Sequence, residues 1–176
     1  MAARDGENIA APSPKIPWWS GSTVLNVLDQ FRTSEPPSHL PLRFSVQDVY
    51  RFDERRILAG RVESGTIKVG DRLQFCPTNK VSVVKSIERW SAPVADGASA
   101  SESIGITLSE QIFVERGAVG AREEALPYNL NRLKSRVFWM GRAPFKKGKL
   151  YKLKLLAQEV ECEIDSIEKV LDASTL

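Results

Sequence analysis

Residues 60–71 read GRVESGTIKVGD, and an alternating run, LRFSVQDV, precedes them at residues 42–49. Apolar and polar side chains alternate from Leu42 onwards, which predicts a strand with one buried face. Glycine reaches positive φ without a steric penalty, so Gly65 and Gly70 each predict a tight turn. Two reversals within about a dozen residues predict a compact antiparallel β module.

Short apolar runs separated by turn residues continue from residue 42 to residue 122 and predict about six strands. The predicted strands are residues 42–49, 57–62, 72–76, 81–90, 102–108 and 118–121. Residues 97–103 are small and polar and predict a loop. Short strands at regular spacing indicate a sandwich or barrel, and closure into a barrel would remove the exposed edges.

A second β module is predicted from Pro127 onwards. Three segments in it alternate and predict strands, at residues 132–140, 150–156 and 160–170. Three strands are barely an independent unit, so we expect an open edge and a truncated second barrel. The fold class is therefore mainly all-β. We divide the chain into a linker and helix (1–41), a barrel (42–124) and part of a second barrel (125–176).

The first 41 residues carry the one predicted helix. Residues 1–16 have no periodicity and predict a flexible lead or a linker. After them, Ser22 or Thr23 is a suitable N-cap for a short amphipathic helix. Its apolar stripe is Val24, Leu25, Val27, Leu28 and Phe31. A helix of about ten residues needs something to pack against. We interpret Trp18 and Trp19 as packing the helix on its neighbour, in preference to stacking on a base.

Composition excludes several classes of protein. Apolar residues make up 42 % of the chain and charged residues 27 %, enough for a packed core. No apolar run approaches the roughly 20 residues that cross a bilayer, and residues 1–12 lack a signal-peptide pattern, so we expect a soluble cytoplasmic protein. Cys76 and Cys162 are far apart in sequence, which favours buried thiols over a disulfide.

Nine basic residues lie between residues 125 and 158, a stretch without any acidic residue. They are Arg132, Lys134, Arg136, Arg142, Lys146, Lys147, Lys149, Lys152 and Lys154. The net charge of the chain is only +3, so charge alone does not imply nucleic acid. Two interpretations stay open: the solvated outer face of strands, or a surface that meets an acidic partner or a polyanion.

The residue combinations of common catalytic and metal sites are missing. His39 is the only histidine and lies in a proline-rich connector at residues 33–41. One histidine without clustered cysteines makes neither a common zinc site nor a Ser-His-Asp triad. Glu123 and Glu124 are adjacent in sequence, and on a strand or loop their side chains would point in different directions. We therefore interpret both carboxylates as solvated. We predict no catalytic, cofactor-binding or metal-binding residue in this chain.

Nucleotide-binding motifs are also missing. A phosphate-binding loop needs G-x-x-x-x-G-K-[ST], and the sequence around Gly148 and Lys149 has Leu150 where the magnesium-binding hydroxyl must stand. Residues 79–82 begin like the guanine-reading N-K-x-D but end in Ser82. The chain by itself is therefore not expected to bind or hydrolyse GTP.

Three segments resemble the elongation factor Tu superfamily of GTPases. The stretch GRVESGTIKVGDRL is similar to the strand-turn-strand that opens the second-domain barrel of these proteins. The turn at residues 115–117 matches the I-x-R-G before the last strand of that barrel. The segment PWWSGSTVL is similar to the PWY-x-G-x-T-L-L that closes the GTP-binding domain, with Trp19 in place of the tyrosine.

Residues 132–155 and 160–176 resemble the third domain of one member, the large (GTPase) subunit of bacterial sulfate adenylyltransferase, or ATP sulfurylase. The matching residues are Val137, Trp139, Met140, Pro144, Gly148, Tyr151 and Asp172. The resemblance implies a second domain and part of a third, without the GTP-binding domain.

In that family the large subunit hydrolyses GTP and is coupled to a small catalytic subunit, a nucleotidyltransferase that makes adenylylsulfate from ATP and sulfate. The resemblance therefore implies that the partners are the GTP-binding domain of the same parent chain and the small catalytic subunit, with GTP and Mg bound outside this chain. The parent would be an enzyme of sulfate assimilation, while this chain alone would not.

One alternative function is that of a translation factor whose barrel binds aminoacyl-tRNA, although no interleaving of basic and aromatic residues favours it. Another is a scaffold barrel without an enzyme partner.

Overall fold

A computed structural model describes residues 1–51, 54–91, 93 and 95–171. Asp172, one of the residues matched to the family, lies outside these residues. The chain divides into two compact units, Met1–Glu35 and Pro36–Leu176. The division into domains at residues 41 and 124 stays a prediction.

The larger unit is built on a closed antiparallel barrel of six strands in the order β1-β2-β7-β5-β4-β8. In chain order, the strands of this part are β1 (Arg43–Arg51), β2 (Arg56–Ser64), β3 (Thr66–Lys68), β4 (Arg72–Cys76), β5 (Lys80–Glu88), β6 (Gly97–Ser99), β7 (Ser103–Leu108) and β8 (Val119–Ala121). All of them except β3 and β6 belong to the barrel. All six predicted barrel strands are present, so the mainly β fold class and the barrel are confirmed. Closure depends on the short β8, which pairs with both β1 and β4.

The barrel core follows the alternation seen in sequence. Leu42, Phe44 and Val46 are all buried, as the period-two pattern predicts. They meet the inward-facing residues of the other strands in one cluster, which includes Leu58, Val62, Ile67, Leu73, Phe75, Val84, Ile87, Ile104 and Ile106. Burial of this many large apolar side chains is the main force that holds the barrel together.

The motif at residues 60–71 positions the strands through its glycines and its aspartate. Gly65 has a φ of 73° and Gly70 a φ of 89°, as the two predicted turns require. An Asp71 carboxylate oxygen accepts hydrogen bonds from the Lys68 amide at 2.9 Å and from the guanidinium of Arg122 at 2.8 Å. This carboxylate therefore joins the second turn to the residue that follows β8.

Strands β3 and β6 form a separate two-stranded sheet that the sequence pattern does not predict. The expectation that residues 97–103 form a loop is wrong for Gly97–Ser99, which pairs with Thr66–Lys68. Small residues carry little strand preference of their own. The pairing forms because Ala98 lies opposite Ile67 and both side chains are buried in the core.

Glu102 anchors this second sheet beside the barrel. Its carboxylate accepts hydrogen bonds from the Ser99 amide at 2.7 Å and from the Arg89 guanidinium at 2.5 Å. The Ser99 amide first, and then Arg89, lowers the pKa of Glu102 below its ordinary value of 4.5. The same guanidinium donates to the Gly97 carbonyl at 3.0 Å.

Replacing Glu102 by glutamine is therefore expected to make stability less dependent on pH. A carboxyl whose folded pKa is lowered stabilises the fold above the ordinary value of 4.5, and this contribution is lost as pH falls through the folded pKa. Urea unfolding should show E102Q less stable than wild type at neutral pH, with the difference shrinking in acid. The exposed Glu124 provides the control variant, E124Q, which should match wild type at neutral pH. A difference for E102Q that persists unchanged in acid would contradict this prediction.

The C-terminal part of the larger unit contains one hairpin, β9 (Leu150–Leu155) and β10 (Gln158–Glu163). The first strand agrees with the prediction, whereas β10 is shorter than the predicted 160–170. The strand predicted for residues 132–140 is wrong, because none of these residues lies in a strand. A strand needs a partner for its backbone N–H and C=O groups, and no described segment pairs with this one.

The smaller unit contains the short helix α1 (Val24–Asp29). Thr23 is its N-cap, as predicted, and its buried hydroxyl accepts a hydrogen bond from the Asn26 amide at 3.3 Å. Residues 1–16, expected to be a flexible lead or a linker, contact the start of the helix: the Val24 amide donates to the Asn8 carbonyl and the Leu25 amide to the Ile9 carbonyl. The amides at a helix start have no hydrogen-bond acceptor inside the helix, and the carbonyls of this segment provide acceptors for two of them.

Candidate interaction surface

The described residues hold no group of three or more His, Cys, Asp and Glu side chains that could bind a metal ion. Glu123 forms an exposed ion pair with Arg72 at 3.1 Å. Ser82 is buried and exchanges two hydrogen bonds with the backbone of Glu110, both 3.2 Å, which is a structural role. Cys76 and Cys162 are free and partly buried, and burial raises the pKa of Cys76. Glu123 and Ser82 therefore make structural contacts.

Three aromatic rings form the core of a turn at residues 139–151, which we call the aromatic-basic loop. The Trp139 and Phe145 centroids lie 4.8 Å apart, those of Phe145 and Tyr151 4.9 Å, and those of Trp139 and Tyr151 5.5 Å. These separations are typical of favourable aromatic pairs, which contribute about 0.5–1.5 kcal/mol each beyond their burial. The rings therefore give a short segment a core of its own.

Hydrogen bonds complete this loop. The indole N–H of Trp139 donates to the Ala143 carbonyl at 2.6 Å. The Tyr151 hydroxyl accepts from the Lys146 amide at 2.8 Å and donates to the Lys146 carbonyl at 3.1 Å. Gly141 lies against the indole, and a Cβ there would be 2.7 Å from Trp139 Cζ2. The aromatic-basic loop is thus a defined structure that projects its remaining side chains into solvent.

Eight of the nine residues of the basic run fall into two groups, and the ninth, Arg136, is exposed and belongs to neither. Four of them form salt bridges: Arg132 with Asp165, Lys134 with Glu168, and Lys152 and Lys154 with Glu159 at 2.7 and 3.0 Å. The hydrogen bond from Lys152 is the main cause that lowers the pKa of Glu159, followed by that from Lys154. Arg142, Lys146, Lys147 and Lys149 on the aromatic-basic loop are exposed and form no salt bridge with any residue in the described part of the chain. The uncompensated positive charge is therefore concentrated on this loop.

Phe113 is another exposed aromatic side chain of the larger unit, and two cations lie beside it. Phe113 is 56 % exposed, with the Lys80 ammonium 5.5 Å and the Arg56 guanidinium carbon 6.0 Å from its ring centroid. Beside it is an open cleft of about 340 Å³. Its charged lining is mixed, with three arginines, Arg51, Arg56 and Arg116, and two carboxylates, Asp48 and Glu115. The cleft therefore does not favour a ligand of one charge.

In the smaller unit the apolar side of α1 is exposed. Trp18 and Trp19 lie edge to face with centroids 6.4 Å apart, and the indole of Trp19 donates to the Ser22 carbonyl at 3.1 Å. Leu28 is 50 % exposed and Phe31 73 %. Within this unit the apolar side chains of α1 are therefore uncovered, as expected of a surface that packs on another domain.

The sequence pattern identified the basic run but not its division into paired and unpaired charges. The pairing depends on Glu159, Asp165 and Glu168, which lie next to four of the basic residues in the folded chain. The ring cluster was also missed, although the spacing of Trp139, Phe145 and Tyr151 around Pro144 and Gly148 is the signal that could have indicated a built turn. None of the described helices is long and apolar enough to cross a membrane.

The barrel places the chain in a recognised class of folds. It is similar to a bacterial selenocysteine-specific elongation factor, EF-Sec, with a TM-score of 0.60 at 21 % sequence identity, over 84 % of this chain and 24 % of that one. At this identity the match shows the fold alone, and the fold is the elongation-factor type that the GRVESG motif predicts. No family model matches the chain.

Sequence comparison finds relatives that share one name. The chain is 33 % identical to sulfate adenylyltransferase subunit 1 of Shewanella oneidensis over 177 aligned residues, and 31 % identical to that of Teredinibacter turnerae over 176. These alignments cover 100 % and 99 % of this chain but only 36 % and 37 % of the relatives. The resemblance to the large subunit of sulfate adenylyltransferase is confirmed, for a chain that spans about a third of the length of these relatives.

Proposed function

We propose that this chain is the non-catalytic β-barrel portion of a sulfate adenylyltransferase large subunit, which couples GTP hydrolysis to adenylylsulfate synthesis from ATP and sulfate. The observation that carries the proposal is the similarity along essentially the whole chain to sulfate adenylyltransferase subunit 1. GTP and Mg would bind to the GTP-binding domain of the parent protein, in the cytoplasm.

Two surfaces are suited to the two expected partners. The exposed apolar stripe of α1 and the pair Trp18 and Trp19 would pack on the GTP-binding domain, because burying them removes apolar area from water. The basic run would face the small catalytic subunit, because its loop carries charge that the described chain does not neutralise.

Binding to the small catalytic subunit tests the proposal. We expect the purified chain to bind, saturably in a pull-down and in a titration, the small subunit from the same genome. The control is the purified barrel of a translation elongation factor, which has the same fold class but should not bind. A chain that has the circular dichroism of a folded β protein and yet fails to bind would contradict the proposal. Saturable binding of aminoacyl-tRNA in fluorescence anisotropy would favour the translation-factor alternative instead.

A further inference from the structure

We propose that the aromatic-basic loop, residues 139–151, is the docking point for an acidic protein segment, and that the small catalytic subunit carries this segment. The second clause rests on the proposed function, whereas the acidic chemistry of the partner follows from the loop itself. The loop, not the basic run as a whole, is the element that recognises the partner.

The loop is rigid enough to hold its charges in place before binding. Three mutually packed rings, the bond from the Trp139 indole to Ala143 and the two bonds of the Tyr151 hydroxyl to Lys146 hold its backbone. A preorganised surface loses less conformational entropy when a partner binds, so more of the interaction energy appears as affinity. A charged loop without such a core would have to order itself first.

The charges on the loop differ from those on the neighbouring hairpin. Lys152 and Lys154 already have a carboxylate partner in Glu159, so an acidic partner would have to compete with it. Arg142, Lys146 and Lys149 have no such competitor among the described residues. Lys149 instead lies over the Tyr151 ring at 5.7 Å. Lys147 is excluded from this set because its charge helps, as the smallest cause, to lower the pKa of Asp165.

The arrangement of the rings favours a protein partner over a nucleic acid. Single-stranded nucleic acids bind by stacking bases on open aromatic faces. Here the three rings contact one another, and Phe145 and Tyr151 are partly buried. The exposed side chains of Met140 in the loop and of Phe138 just before it add apolar contact area, and such side chains are enriched in protein interfaces.

The test compares two triple variants that remove the same charge. R142Q/K146Q/K149Q removes cations of the loop, and the matched control R132Q/K152Q/K154Q removes three that already form salt bridges. Each lowers the net charge of +3 to zero. We expect the loop variant to bind the small subunit about 10-fold more weakly or worse, and the control to stay within about 3-fold of wild type. All six positions are exposed, and equal thermal unfolding curves would show that both variants fold.

A second probe, poly-L-glutamate, tests whether the loop binds acidic chains independently of whether the small subunit is the partner. Loss of poly-L-glutamate binding in the loop variant but not in the control supports the acidic chemistry, even when wild type fails to bind the small subunit and the proposed function falls. Wild-type affinity of the loop variant for both probes would overturn the inference while leaving the proposed function intact. Equal weakening by both variants would also overturn it, because net charge would then explain the binding. Tighter binding of single-stranded RNA than of either probe would assign the loop to nucleic acid instead.

Discussion

The barrel is expected to fail to close when Gly60 is replaced by valine. Gly60 lies on β2 opposite Val46 of β1, and a Cβ there would be 2.2 Å from the Ser45 carbonyl oxygen and 2.8 Å from the Phe44 ring. The first contact is with backbone, so a side-chain rotation cannot relieve it, and the two strands would have to separate. We expect a loss of about 4 kcal/mol or more in the free energy of unfolding, at the upper end of single substitutions.

Urea unfolding followed by circular dichroism measures this effect. The matched control is G97A, where the nearest atom is the Ile67 carbonyl oxygen at 3.2 Å and a shift of a few tenths of an ångström is enough. We expect G97A to fold with a small change in midpoint. A G60V protein with the wild-type midpoint would show that β1 and β2 do not approach each other as the structure has them.

The second large effect is expected for Phe75, a fully buried residue of β4. Its ring lies against Gly120 of β8, where a Cβ would be 3.1 Å from Phe75 Cε1. Truncation to alanine removes apolar contacts and leaves a cavity beside the strand that closes the barrel. The expected cost is about 3–5 kcal/mol.

The control for F75A is F113A, because Phe113 is 56 % exposed and its ring lies beside the cations of Lys80 and Arg56. Loss of such exposed contacts should cost less than about 1 kcal/mol. Both variants replace phenylalanine by alanine, so the difference between their urea midpoints reports the effect of burial at residue 75. Equal midpoints would mean that Phe75 does not lie in the core.

The pairing of charges on the candidate interaction surface was not predictable from the sequence pattern. An unbroken basic run from residue 125 to 158 is visible in the sequence, and it left two interpretations open. The structure divides the run: Lys152 and Lys154 lie on a solvated hairpin and are paired, whereas Arg142, Lys146 and Lys149 lie on a turn and have no salt-bridge partner among the described residues. Charge pairing depends on which segments become neighbours, and local periodicity does not contain that information.

The six barrel strands, the two glycine turns and a helix cap at Ser22 or Thr23 were predictable from the sequence, because each depends on interactions between residues close in the chain or on a simple period of two. The folded structure set the remaining features. It paired Gly97–Ser99 with Thr66–Lys68, bound residues 8 and 9 to the start of α1, and left residues 132–140 without a strand partner. These outcomes depend on contacts between distant segments, where a hydrogen-bond partner or a buried neighbour outweighs the weak local preference of the chain.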